Sequence, residues 1–215
     1  MGRHKKIVAE AGVEVVTETS ETGDEVESSG LEGYVFECDI VGMTPLGFGA
    51  PFLTKAESLE GGQDELEKKH WRERIPTANG NAIINPMSLK KALDTTAKKQ
   101  LGTVPGKRNA RWGGYFKSGV MVVQPLDLGV KPDSVPVCPM YVALPGQGRH
   151  WKNFPKLEQW KCHAVIDIVD GIITPEVLEK CLKKAGNTNG LGLFRPQNGG
   201  YWGRFKIENC KTTKN

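Results

Sequence analysis

The segment NGLGLFRPQNGGYWGRF, residues 189–205, sets five glycines around two arginines and four aromatics directly after a predicted helix. Those residue types suit a loop whose backbone lies against a polyanion. Glycine leaves room for main-chain N–H groups to approach a phosphate, a guanidinium donates in a planar fork, and an aromatic face stacks an unpaired base. Gly190, Gly192, Arg195, Gly199, Gly200, Tyr201, Trp202 and Arg204 are therefore candidate nucleic-acid contacts, with Gly203 completing the glycine set. An ordinary glycine-rich hairpin joining the last helix to the last strand would carry the same residues.

A second segment has the same chemistry. Between Lys98 and Lys117 stand six basic residues, no acid, and the aromatics Trp112, Tyr115 and Phe116. Cations neutralise phosphates and flat rings stack bases that no longer pair, which is what single-stranded nucleic acid requires. The candidates here are Lys98, Lys99, Lys107, Arg108, Arg111, Trp112, Tyr115 and Lys117. The competing reading is a solubilising loop whose aromatics belong to the core. From Lys180 to Ile207 the pattern recurs, with six bases and no acid. The two segments lie together only if the connections after their helices bend the same way.

Charge and composition narrow the classes. The net charge of +4 hides an asymmetry: residues 1–30 hold seven acids against three bases, so the rest of the chain stands at +8. A basic body favours an anionic partner, and the polar, acidic residues 1–30 read as a flexible arm. At 215 residues, 38% hydrophobic and a mean hydropathy of −0.40, the chain fits one soluble domain, expected over residues 31–210 with a tail at 211–215. No apolar run approaches the roughly 18 residues that a spanning helix needs. Glu10 and Glu14 interrupt what would be a signal core, and Lys6 stands where a myristoylation signal wants Ser or Thr, so a cytoplasmic location is expected. The five cysteines form no C-x-x-C pair and have no histidine at ligand spacing, so neither a metal site, a cofactor nor a disulfide framework is expected.

These residues must be positioned by a small set of elements. Tyr34, Phe36, Cys38 and Ile40 alternate with Val35, Glu37, Asp39 and Val41, the period of a half-buried strand. A long connection over residues 43–85 follows, with a short charged helical stretch inside it. Asn85-Pro86 opens a helix with Leu89, Ala92, Leu93, Thr96, Ala97 and Leu101 on one face before Gly102. A strand is predicted over 119–124, a proline-rich insertion over 125–159 and another strand over 161–170. Thr174-Pro175-Glu176 caps a second helix, with Val177, Leu178, Cys181, Leu182 and Ala185 inward and Gly186 at its end. A last strand spans 203–208. The order β, α, β, β, α, β predicts an α+β fold, ferredoxin-like (RRM-like), with long insertions after strand 1 and between strands 2 and 3. Such a fold offers one sheet face for binding and covers the other with helices.

The ferredoxin-like order, the segment IPTANGNAIINPMSLKKAL before the first helix and GLGLFRPQNGGYWGRF before the last strand together resemble the RAMP superfamily of CRISPR effector proteins, nearest to the backbone subunits that coat guide RNA. The resemblance implies that Gly190, Gly192, Gly199, Gly200, Gly203, Arg195 and Arg204 form an RNA-contacting loop. It sets Ile83-Ile84-Asn85-Pro86-Met87-Ser88-Leu89-Lys90 where the family has small residues leading into its first helix; Asn-Pro-Met is a departure from that pattern. The combined pattern is also associated with phage proteins, which implies a stand-alone relative. RNA-cleaving backbone subunits carry an aspartate in the connection after strand 1. Here Asp64 is the only aspartate between Val41 and Leu93, in a stretch that reads as solvated helix. RNA-processing members use a histidine, for which His70 stands in the same connection with no partner assignable from sequence. The family's protruding hairpin has two counterparts to choose from, residues 43–85 and 125–159, the latter with Arg149, His150, Trp151 and Lys152.

Gly190-x-Gly192 follows a helix and lacks a third glycine at dinucleotide-binding spacing, and neither a phosphate-binding loop with its lysine nor a nucleophile elbow is present. The expected function is therefore non-enzymatic binding of single-stranded RNA or DNA, RNA-preferring, in a homo-oligomer that coats the strand head to tail. The alternatives are a phage interaction protein that mimics a CRISPR backbone subunit and contacts effector subunits, and a metal-independent ribonuclease using His70 or a loop base.

Overall fold

The computed structural model describes residues 33–144 and 148–214; the acidic arm predicted for 1–30 lies outside them. In chain order the elements are β1 Tyr34–Gly42, β2 Leu46–Gly47, α1 Gly62–Lys69, β3 Thr77–Ala78, β4 Asn81–Ile84, α2 Pro86–Gln100, α3 Trp112–Gly119, β5 Val120–Val122, β6 Leu126–Asp127, β7 Val137–Leu144, β8 Gly148–Leu157, β9 Lys161–Ile168, α4 Pro175–Thr188 and β10 Phe205–Lys214. The fold is mixed α+β with antiparallel sheets.

The main sheet has the order β10-β1-β9-β5, every neighbour antiparallel. Its alternation follows the sequence: Tyr34, Phe36, Cys38 and Ile40 of β1 are buried, as are Cys162, Ala164, Ile166 and Ile168 of β9. These meet the apolar stripes of α2 (Leu89, Ala92, Leu93, Ala97) and α4 (Leu178, Cys181, Leu182, Ala185) in one core. Both helices begin with proline at the first turn, where a missing N–H costs nothing. Asn85 caps α2 by accepting from Met87 N at 2.9 Å.

Four sequence expectations change. Gly186 does not end α4, which continues to Thr188; a Cβ there would lie 2.1 Å from Phe205 O, so the glycine lets β10 run directly against the helix. The tail predicted at 211–215 is largely strand, because β10 extends to Lys214, which pairs with Tyr34. The basic loop after α2 contains an unpredicted helix, α3, whose inner face is Trp112, Phe116 and Gly119. Finally, the sheet face turned away from the helices is not built to stack bases. Its strands place every aromatic (Tyr34, Phe36, Phe205) on the helix side, and the outer positions carry a mixed set of charged side chains, Glu37, Asp39, Lys161, His163, Asp167, Lys206, Glu208 and Lys211. His163 Nδ1 lies 3.0 Å from Asp39 Oδ1, and Asn209 Nδ2 donates to Asp39 Oδ2 at 2.7 Å. Hydrogen bonds from Asn209 and then His163 hold the Asp39 carboxyl below the usual range.

Two smaller sheets flank the core. β3, β4 and β6 form one, and β2, β8 and β7 the other, the β7–β8 hairpin projecting from residues 137–157. Its base is tied to α1 by Glu67, a carboxylate only 5% exposed. Glu67 meets Arg74 at 2.7 Å and Lys152 at 3.3 Å, and its carbonyl accepts from Asn153 Nδ2 at 2.9 Å. A carboxylate so enclosed requires this degree of pairing.

Candidate nucleic-acid interface

The glycine-rich loop begins at Asn189, which is buried between the helices and donates from Nδ2 to Ala92 O (2.9 Å) and Thr96 Oγ1 (2.7 Å). From there the chain folds back onto the β1–β2 connection. Leu193 N donates to Gly47 O at 2.8 Å, Gly203 N to Pro45 O at 2.7 Å, and Arg204 N to Thr44 Oγ1 at 2.9 Å. Within the loop, Leu191 N reaches Gly203 O, Trp202 N reaches Phe194 O and Gly200 N reaches Arg195 O.

Many of the loop's N–H groups are thus spent on its own fold. The glycines have the same purpose: a Cβ would lie 1.8 Å from Leu191 O at Gly203 (φ +71°), 1.9 Å from Phe194 O at Gly200, 2.5 Å from Gly47 O at Gly192 (φ +73°) and 2.7 Å from Pro196 Cδ at Gly190 (φ +65°). Only Gly199 (φ +80°) of the predicted loop glycines has nothing within 4 Å. The expectation that these glycines admit a phosphate is corrected: four of them admit the protein's own atoms.

Two of the predicted stacking aromatics are likewise core residues. Trp202 is buried edge-on to Phe194 (ring centroids 5.1 Å, 85°), with Gly47 lacking the Cβ that would strike its ring. Trp112 is buried against Phe116 and Tyr115. Tyr115 is half-buried, with Lys107 Nζ 5.3 Å above its ring. Tyr201 alone among the four predicted rings is broadly exposed, at 65%. Apolar area explains the outcome, since large rings gain most from burial once the fold brings apolar surface within reach.

The candidate cations lie at the surface. Lys98, Lys99, Lys107, Arg108, Arg111, Lys117 and Arg204 are exposed and Arg195 is half-buried, and none of the eight forms an ion pair among the described residues. The ends of α2 and α4 do meet: Gln100 Nε2 donates to Thr188 Oγ1 at 2.8 Å, and Lys184 Nζ to Gln100 O at 3.0 Å. Arg195, however, sits at the opposite end of α2. It lines a groove of about 320 Å³ together with Gly192 and Leu193, residues 46–51, Ile84 and the first turn of α2 at Asn85 and Ser88. Its Nε is enclosed with no acceptor. The groove joins the two segments that carry the RAMP resemblance, the approach to α2 and the loop before β10. Its third wall, LGFGAP at 46–51, is one that sequence reasoning misses; the signal for it is the pair of glycines beside the first strand.

The two candidate catalytic residues are settled locally. Asp64 is exposed on α1, as its sequence suggests. His70 has the partner that sequence could not assign: Nδ1 lies 2.9 Å from Glu73 Oε1. The same carboxylate accepts from Thr54 Oγ1 (2.6 Å), Thr54 N and Leu53 N (both 2.8 Å), which pulls Glu73 down to about 2. Thr54's hydroxyl therefore donates to Glu73 and not to the imidazole, and the cluster secures residues 53–54. Among the described residues no His, Cys, Asp and Glu group could hold a metal ion, and no helix is long and apolar enough to cross a membrane. The cysteines are free thiols, and burial pushes Cys162 and Cys181 up to about 12.

No family model matches the chain, and no curated protein matches it. Among solved structures it is similar to a chain of Type III-B Cmr-beta bound to cognate target RNA, with 11% identity and a TM-score of 0.47 over 86% of this chain. This chain spans 62% of the length of that one. It is also similar to Cmr6 from Pyrococcus furiosus, with 10% identity and a TM-score of 0.45 over 83% of this chain and all of that one.

Proposed function

We propose that this chain is a non-enzymatic, single-stranded nucleic-acid-binding protein with a ferredoxin-like RAMP core, RNA-preferring, that coats its strand as a head-to-tail oligomer. The observation that carries the reading is the set of eight cations without an ion pair among the described residues, divided between the two ends of α2. Unpaired cations in two acid-free segments offer counterion release to a phosphate chain. α2 has 15 residues, about 22 Å at 1.5 Å per residue, so a strand touching both ends is held at several consecutive phosphates.

The test is a binding titration with single-stranded RNA, single-stranded DNA and duplex DNA at two salt concentrations, comparing the wild type with Arg195→Ala/Arg204→Ala. Binding of single strands with a log K against log salt slope of about −0.7 per phosphate, less steep by about 1.4 in the variant, supports the reading. A preference for RNA over DNA of the same sequence supports its finer part, and saturation of a long RNA in one sedimenting species supports coating. Absence of binding to all three ligands overturns it.

A further inference from the structure

With Trp112 and Trp202 buried, the exposed aromatics among the described residues are Tyr141, Trp151 and Tyr201. Two of these three stand together. Tyr141 on β7 pairs directly across from Trp151 on β8, their rings 5.4 Å apart and tilted by 41°, with 55% and 68% of their surfaces in solvent. Adjacent rings at that exposure are costly in water unless they serve a partner.

Resting on the nucleic-acid reading above, we propose that the α1-side face of the β7–β8 hairpin is a base-stacking subsite: an unpaired base lies on the Tyr141–Trp151 pair while its flanking phosphate meets Arg149 or Lys68. The two rings and the two cations line one open cleft of about 450 Å³ between the hairpin and α1. Its carboxylates are Asp64 and Glu67, and Glu67 is neutralised by Arg74 and Lys152. Of the hairpin's three cations, Lys152 and Lys156 are paired to Glu67 and Glu158, which leaves Arg149 beside the rings, so charge and aromatic surface coincide there as single-strand binding requires. The platform is also firmly rooted, because Phe154 is buried and Asn153 and Lys152 both bond to Glu67 at the hairpin's base. A rigid ring pair loses little freedom when a base settles on it.

The experiment uses the full chain with a single-stranded oligouridine and an abasic ribose-phosphate strand of the same length. Tyr141→Ala/Trp151→Ala is expected to lose about tenfold or more in affinity for oligouridine and nothing for the abasic strand, whereas Tyr141→Phe/Trp151→Phe keeps the base preference. Trp151 supplies an independent signal, since the other four tryptophans are at most 8% exposed. Oligouridine is expected to quench a solvent-exposed emission component that Trp151→Phe lacks. Unchanged oligouridine affinity in the alanine pair overturns the proposal while leaving the Arg195 groove in place. So does an alanine pair that dissociates an oligomer without altering RNA affinity, which makes the face an interface between copies. Failure of the wild type to bind either strand overturns the parent reading instead.

Discussion

Asn189 Nδ2 donates to Thr96 Oγ1 at 2.7 Å inside the α2–α4 interface, and the same amide reaches Ala92 O. The first residue of the glycine-rich loop is therefore bonded to the middle of the helix whose two ends carry the unpaired cations. Asn189→Ala removes the donor to Thr96 Oγ1, leaves Ala92 O with the Thr96 hydroxyl and opens a small void, which should cost about 1–3 kcal/mol. Urea unfolding midpoints measure the loss. Asn189→Asp should be worse, because a carboxylate there faces a carbonyl in a buried site.

Gly203 and Gly199 share a left-handed backbone but not a setting. Gly203→Ala brings a Cβ to 1.8 Å from Leu191 O and should displace the loop from the β1–β2 connection, with a loss well above the cost of backbone strain alone. Gly199→Ala meets nothing within 4 Å and should cost only about 1 kcal/mol. Thermal melts of the two variants check the ordering; equal losses would mean the close approach is not what selects glycine.

Glu73 sets a pH window. Its folded value of about 2 lies below its ordinary 4.5, so its contribution to stability is complete above 4.5 and disappears as pH falls from there towards 2. Glu73→Gln should accordingly be less stable than the wild type at about pH 6, with the gap narrowing at about pH 3. Denaturant midpoints at the two pH values supply the test.

His70 is engaged by Glu73 through Nδ1, and Thr54 gives its proton to the carboxylate. Under the non-enzymatic reading, single-stranded RNA incubated with the protein in chelator stays intact, and His70→Ala binds it as the wild type does. Cleavage by the wild type that His70→Ala abolishes would replace that reading with the ribonuclease alternative.

Lys98, Lys99, Arg108 and Arg111 test the far end of α2. Replacing all four by alanine should lower affinity for single strands of every sequence alike and flatten the salt slope by about 0.7 for each phosphate that is no longer neutralised. A variant with the wild-type slope would confine the interface to the Arg195 groove.

The two long helices and the alternating strands were legible because they depend on local rules. Asn85-Pro86 and Thr174-Pro175 start helices wherever they occur, and Tyr34 to Ile40 alternate at the period of a pleat. α3 was not legible: WGGYFKSG has three glycines and poor helix propensity, and it is helical because Gly113, where a Cβ would lie 3.1 Å from Lys98 Cα, lets it pack closely on α2 and because Trp112 and Phe116 fill the core. Propensity yields to tertiary packing of this kind.

The candidate site divides along the same line. Charge is a property of composition, so the acid-free basic segments, and with them the cations from Lys98 to Arg204, could be read directly. Exposure is a property of three-dimensional packing. Trp112 and Trp202 lie in the most basic segments yet are buried, while Tyr141 and Trp151, in a stretch dominated by prolines, emerge as the exposed pair. A tryptophan's neighbours in sequence do not reveal which apolar surface lies within reach once the chain has folded; only the register of β7 on β8 and the closure of the loop over Gly47 decide that.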